Sequence, residues 1–433
     1  MNRRSHDFAT KCARLRAGAA GFPRAHAGLS LIEVMVALAI SAILLFGLSQ
    51  IFVGSKNVYR LQEGMSRVQE NARFVLTYLE SNVRMAGYMG CGNDADLTVK
   101  AGSPPAFVNH LRAISSGGTG GLPIQQDTLT SSERFQRPIE AYAYSGGSID
   151  NQNPALGAAG DWTPALDTPE NLGLTGANLP IKGSDVLVLR LVSADSTALL
   201  GDFNMSAGQF RVANPTMLKP GQIYAITNCA NARIFKATTV DNGSGTVTAG
   251  PADNLLRFTS DNTSTWTGSY ANMQFNQGGG SALNAEVHPA DYMVIYVGLR
   301  ATDSAPVLKV MGSDGVPQEV AEGVEMMKVE LGVDTDADGV VNKYVPANNT
   351  DADSNLAVTN KAQRDIAWRK VLSVRIALLV RSPDRASETA HTGDANGDNV
   401  YYLFDTRTQR PIDARFRDVY TTTIALRNRL GNY

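Results

Sequence analysis

Residues 29–53 read LSLIEVMVALAISAILLFGLSQIFV, an apolar run whose single charged side chain is Glu33. At roughly 1.5 Å per residue, a helix of this length crosses the hydrocarbon of a bilayer. Arg3, Arg4, Lys11, Arg14, Arg16 and Arg24 precede the run against one acid, Asp7. Basic flanks stay on the cytoplasmic side, so the sequence predicts a single-pass inner-membrane anchor with everything after Lys56 in the periplasm. A secretory signal peptide would carry a small-residue cleavage site behind its apolar run; here Gln-Ile-Phe-Val-Gly-Ser-Lys leads into more helical pattern. A carboxylate inside such a helix costs at least about 2.5 kcal/mol on insertion scales, so Glu33 needs a partner.

Gly28 stands directly before the run and is followed by Leu29, Ser30, Leu31, Ile32 and Glu33. A Gly, four mostly apolar residues, a Glu and an unbroken apolar stretch resemble the class III leader of type IV prepilins and pseudopilins. The resemblance implies cleavage after Gly28 by a prepilin peptidase and methylation of Leu29 as the first mature residue. It also implies that the Glu33 carboxylate meets the α-amino charge of a neighbouring subunit, where an unpaired charge in an apolar bundle would be heavily penalised. Leu29 departs from the Phe that more often opens such proteins.

Three further stretches, RMAGYMGC at 84–91, Asn228-Cys229, and TTTIALRNRL at 421–430, resemble minor pilins of the PilW family. That likeness implies an α+β, pilin-like fold in which a long N-terminal transmembrane and amphipathic helix packs on antiparallel β-sheets with long loops. It implies partners too: other minor pilins, the major pilin, a tip adhesin of PilY type and the inner-membrane assembly platform. The corresponding role is to prime type IV pilus assembly, with twitching motility and cell adhesion depending on it. J-type pseudopilins of type II secretion share the leader and helix. A membrane-anchored periplasmic enzyme or binding protein is the reading from another class, and it would need neither Gly28 nor Glu33.

Beyond the run, Val58, Leu61, Met65, Val68, Ala72, Val75, Leu79, Asn82 and Ala86 recur at three- and four-residue spacing, opposite a charged face. The stripe predicts a helix laid on a sheet, with a coiled coil as the alternative. Gly47, Gly54 and Gly64 predict a bend or local melting. The organisation expected is a leader at 1–28, a membrane helix at 29–53, its amphipathic continuation at 54–90 and a β-rich periplasmic domain at 91–433. Strands are expected at 185–193, 222–227, 232–240, 292–300, 307–311, 326–333, 370–381 and 419–428. Gly-, Ser- and Asn-rich stretches at 115–121, 144–180 and 276–284 read as surface loops.

The leader carries six basic residues against one acid, so the remainder is acidic, and it lacks the clustered Lys and Arg that nucleic acid requires. Of three cysteines, Cys12 lies in the leader. Cys91 and Cys229 either form a disulfide, closing a loop of roughly 140 residues worth about 4–5 kcal/mol, or remain buried thiols. Asp334-Thr335-Asp336-Ala337-Asp338-Gly339 has the alternating carboxylates of a calcium loop. Val345 stands where an EF-hand needs Glu, so completion would fall to Asn342, Asp351 or Asp353. The turn at 394–398 reads as a hairpin, and His110, His288 and His391 lack zinc spacing. No cofactor is required on this reading, with calcium the one candidate, and the nucleophile-elbow, Walker and dinucleotide motifs of common enzymes do not occur.

Overall fold

The computed structural model describes residues 30–90, 107–109, 111, 133–135, 137–150, 153–166, 172–200, 208–228, 232–250, 254, 285–358, 361–386 and 399–429. The chain divides into two units, residues 1–56 and 57–433, each described by itself.

Helix α1 spans Leu31–Met85. In the first unit its side chains are exposed from Leu31 through Lys56, as expected of a segment whose solvent is lipid. The helix is continuous through Gly47, Gly54 and Gly64, so the expected local melting is corrected. A lone Gly costs about 1 kcal/mol against Ala, too little to break a helix bonded on both sides. Gly64 has a packing use, since a Cβ there would lie 3.3 Å from Ala386 Cβ. The helix stops at Met85, short of the expected 90, because Gly87 turns left-handed at φ +77°.

In the second unit α1 buries Gly64, Val68, Ala72, Val75, Leu79 and Val83. The stripe is therefore real, with Ala86 buried as expected, but Asn82 gives way to Val83, four residues beyond Leu79, and instead donates to the Tyr78 carbonyl at 2.8 Å. Val58, Leu61 and Met65 stay exposed.

The strands are β1 (Phe107–Asn109), β2 (Ile139–Tyr144), β3 (Trp162–Thr163), β4 (Val186–Val192), β5 (Thr197–Ala198), β6 (Gln209–Arg211), β7 (Ile223–Thr227), β8 (Ala232–Lys236), β9 (Thr239–Asp241) and β10 (Thr246–Thr248). They continue with β11 (Glu286–Leu299), β12 (Pro306–Met311), β13 (Gln318–Glu322), β14 (Val324–Val333), β15 (Lys343–Pro346), β16 (Val371–Arg381), β17 (Val400–Leu403), β18 (Thr406–Gln409) and β19 (Arg417–Ala425). A large sheet runs β1-β8-β7-β11-β4-β2-β3, with β5, β12 and β13 attached through β11 and β12. A four-stranded sheet runs β15-β14-β16-β19, beside a three-stranded β6-β10-β9 and a β17-β18 hairpin. Pairing is antiparallel as expected, except that β1 runs parallel to β8.

The buried stripe of α1 shares one core with Ile139, Leu189 and Ile295 of the large sheet and with Val329, Ile376 and Ile424 of the four-stranded sheet. A helix packed on sheet, and not a coiled coil, is the observed architecture. The other face of the large sheet is covered by Trp162, Leu166, Leu172 and Leu174, so 144–180 is partly interior and not simply a surface loop. Trp162 anchors that cover by donating to the Ser184 carbonyl at 2.8 Å.

Two strand readings also change. The expected 232–240 strand breaks after Lys236, where the chain leaves the large sheet to pair β9 with β10. The expected 419–428 strand ends at Ala425 and is followed by a 3-10 turn at Arg427–Arg429. Helix α2 (Lys361–Arg369) is unanticipated, and its Trp368 plugs the core with Nε1 donating to Leu356 O at 3.2 Å. The loops at 115–121 and 276–284 and the turn at 394–398 lie outside the described residues.

Candidate functional site

The entry to α1 is built by two side chains. Ser30 Oγ accepts the Glu33 N–H at 3.3 Å, and Glu33 Oε2 accepts the Ser30 N–H at 3.0 Å. This reciprocal capping box satisfies two backbone donors that the helix start leaves open, and the carboxylate sits at the positive end of the helix dipole. Reasoning from charge alone missed it, although Ser-x-x-Glu before an apolar run is its sequence signature. Gly28 and Leu29 lie outside the described residues.

Cys91 and Cys229 also lie outside the described residues, but their neighbours meet. Gly90 is packed so closely on Thr227 that a Cβ would collide with Thr227 Cγ2, and it would come within 3.4 Å of His288 Nε2. Gly90 holds φ at +76°, so Gly is needed there twice over, for conformation and for space. His288 is buried, with Nδ1 2.9 Å from Ser193 O and Tyr88 edge-on to its ring.

The acidic loop brings Asp334, Asp336 and Asp338 together, with carboxylate oxygens within 4.8 Å of one another. Asp334 is buried, and its oxygens accept Ala337 N–H at 2.7 Å and Gly339 N–H at 2.8 Å. Burial pushes this carboxyl up, but those two bonds outweigh it and hold it below its ordinary value. The other residues considered as ligands are engaged elsewhere. Asn342 Oδ1 accepts Thr335 N–H at 2.6 Å, while Lys343 Nζ reaches Asp353 at 2.8 Å and Asp351 at 3.4 Å. Three carboxylates thus stand close enough that they could hold a metal ion, with Asn342 turned to the backbone.

The sequence reading also missed a buried ionic knot. Glu325 receives Arg417 at 2.8 Å and Arg381 at 3.0 Å, with Arg410 at 3.8 Å, and Asp413 takes a second pair of bonds from Arg417. Burial raises the Glu325 carboxyl, yet the Arg417 bonds and charge, then Arg410 and Arg381, outweigh it and leave it below the usual carboxylate range. The knot ties β14, β16 and β19 to the chain after β18. In the large sheet, Glu140 is similarly enclosed by Arg137 and Arg190.

A long apolar N-terminal helix whose second half lies on antiparallel sheets is a pilin-like layout. In accord with that layout, residues 23–49 match the Prokaryotic N-terminal methylation motif, a span containing Gly28, Leu29 and Glu33. Residues 297–428 match the family described as Type IV Pilus-assembly protein W, from the end of β11 through β19. Together the two matches support a PilW-like type IV pilus minor pilin. No curated protein and no solved structure matches the chain.

Proposed function

We propose that this protein is processed by prepilin peptidase after Gly28, methylated at Leu29, held in the inner membrane as a single-pass subunit with a periplasmic domain, and then added to the pilus. It acts there with other minor pilins, the major pilin, a PilY-type tip adhesin and the assembly platform, priming filament formation and so supporting twitching and adhesion. Its role is structural and not enzymatic. The observation that carries the proposal is the coincidence of two matches in one chain: the methylation motif opens α1, and the PilW match covers the four-stranded sheet on which the second half of α1 lies. Deletion of the gene tests it. Loss of surface pili with type II secretion intact is the expected result, whereas lost secretion with pili intact would assign the protein to the J-type pseudopilins. Mass spectrometry of the mature N-terminus should find methylated Leu29, and a retained basic head would overturn the processing step.

A further inference from the structure

Between the end of β2 and the start of β4 the chain approaches the edge of β14 at a stretch that β15 leaves uncovered, since β15 pairs only with Glu330 through Val333. Ser184 Oγ accepts Met327 N–H at 3.0 Å, and Asp185 N–H donates to Met327 O at 2.8 Å. Asp185 Oδ2 accepts Val329 N–H at 3.0 Å. Oδ1 accepts Tyr144 N–H at 2.9 Å and faces Lys328 Nζ at 2.8 Å. Both charged side chains are buried. Lys328 lies on the face of β14 that carries Met326 and, across the strand pair, Ala377 and Leu379, an apolar cluster. Two residues along, on the same face, stands Glu330.

We propose that Lys328 and Asp185 are joined by an amide bond in the mature protein, formed within the folded chain. Water is largely excluded here, so passing one proton from the Lys328 ammonium to Asp185 Oδ1 replaces two buried charges with a neutral amine and a neutral acid. The Nζ lone pair then attacks Asp185 Cγ and forms the C–N bond, while Oδ2, facing Val329 N–H, carries the developing negative charge. Glu330 supplies a proton to the departing Oδ1 hydroxyl and recovers one from the nitrogen. The C–O bond breaks, one water leaves, and Glu330 ends as it began. No oxidant or external reactant enters. Burial raises the Glu330 carboxyl; Arg375, whose Nη1 lies 3.4 Å from Oε2, opposes this, while the negative charges of Asp405 and Asp185 add to it, leaving the carboxyl above its ordinary value. The product would be a covalent staple between the large sheet and the four-stranded sheet, joining positions 143 residues apart.

A tryptic digest of the full-length chain, purified in detergent, tests this directly. The expected product is peptide 183–190 linked to peptide 310–343, at their summed mass less one water, with no cleavage after Lys328. Lys328→Arg keeps a cation beside Asp185 but is expected to restore free peptide 183–190 and a chain mass without the loss of one water. Glu330→Gln is expected to slow linkage by about a hundredfold or more, leaving most chains open. Free peptide 183–190 together with a peptide ending at Lys328 in the wild-type digest would overturn the proposal. That comparison needs no variant to fold.

Discussion

Glu33 serves the helix start through Ser30, and we propose that in a filament its carboxylate meets a neighbour's α-amino group. The two uses separate by substitution. In Glu33→Gln the amide oxygen still accepts the Ser30 N–H, so the helix and its insertion persist, but the charge for the neighbour is gone. Leaving a buried charge unpaired costs about 3–5 kcal/mol. Sheared pili should then carry the variant at a small fraction of the wild-type level by immunoblot, and equal incorporation would remove the cross-subunit role. Ser30→Ala loses only the cap, worth about 1 kcal/mol, and should assemble nearly normally. For the cysteines, the proposal is the disulfide between Cys91 and Cys229. Two thiols would give up two electrons to periplasmic oxidants, a non-reduced digest should show Cys91 linked to Cys229, and Cys229→Ser should cost about 2–5 kcal/mol. At the acidic loop the proposal is calcium, held weakly because only Asp334, Asp336 and Asp338 converge. Calorimetry should give a dissociation constant of about 10⁻⁴–10⁻³ M, abolished by Asp336→Ala, and a wild-type titration without heat or any second signal ends the idea.

One element, α1, meets two environments, and the sequence shows this through the change from an all-round apolar run to a stripe. Spacing placed Val68, Ala72, Val75 and Leu79 on the buried face, because four-residue steps keep to one side of a helix. It erred by one residue at Asn82, where three- and four-residue steps are equally allowed and only the sheet beneath chooses Val83, and it began too early, since Val58, Leu61 and Met65 stay exposed. The Glu325 knot was not legible, since Arg381 and Arg417 stand 56 and 92 residues away and nothing local marks a carboxylate as buried. Its pH behaviour follows from sign. The folded Glu325 carboxyl lies below its ordinary value, so its contribution is fully present above the usual carboxylate range and is lost as pH falls through the lowered value. Urea midpoints should therefore hold from neutrality to about pH 5 and decline below it. Glu325→Gln leaves the buried arginines uncompensated, and should lower stability by about 3–5 kcal/mol at neutral pH while flattening the acid decline.

At the scale of the whole molecule, the region matched to the PilW family supplies the four-stranded sheet, while most of the large sheet lies before it, at positions the family match does not cover. Individual strands such as β4 and β14 were readable from β-branched runs. Their assembly was not, because β11 joins β4, β7 and β12 across long separations that no local pattern encodes. Both sheets nevertheless close on the same stripe of α1, which makes the second half of the helix part of the fold and the first half separable from it. From Leu31 through Lys56 every side chain is exposed, so removing residues 1–56 takes no described core residue away. A chain beginning at Asn57 should be soluble without detergent, with a cooperative melt and near-native circular dichroism in the β region. A chain beginning at Ala86 loses Val68, Ala72, Val75, Leu79 and Val83 together. Leu79→Ala alone should cost about 2–5 kcal/mol, against a total stability of about 5–15 kcal/mol for a typical domain, so the shorter chain should aggregate. If it instead melts cooperatively like the chain from Asn57, the helix is an appendage and the shared core described for the two sheets is wrong.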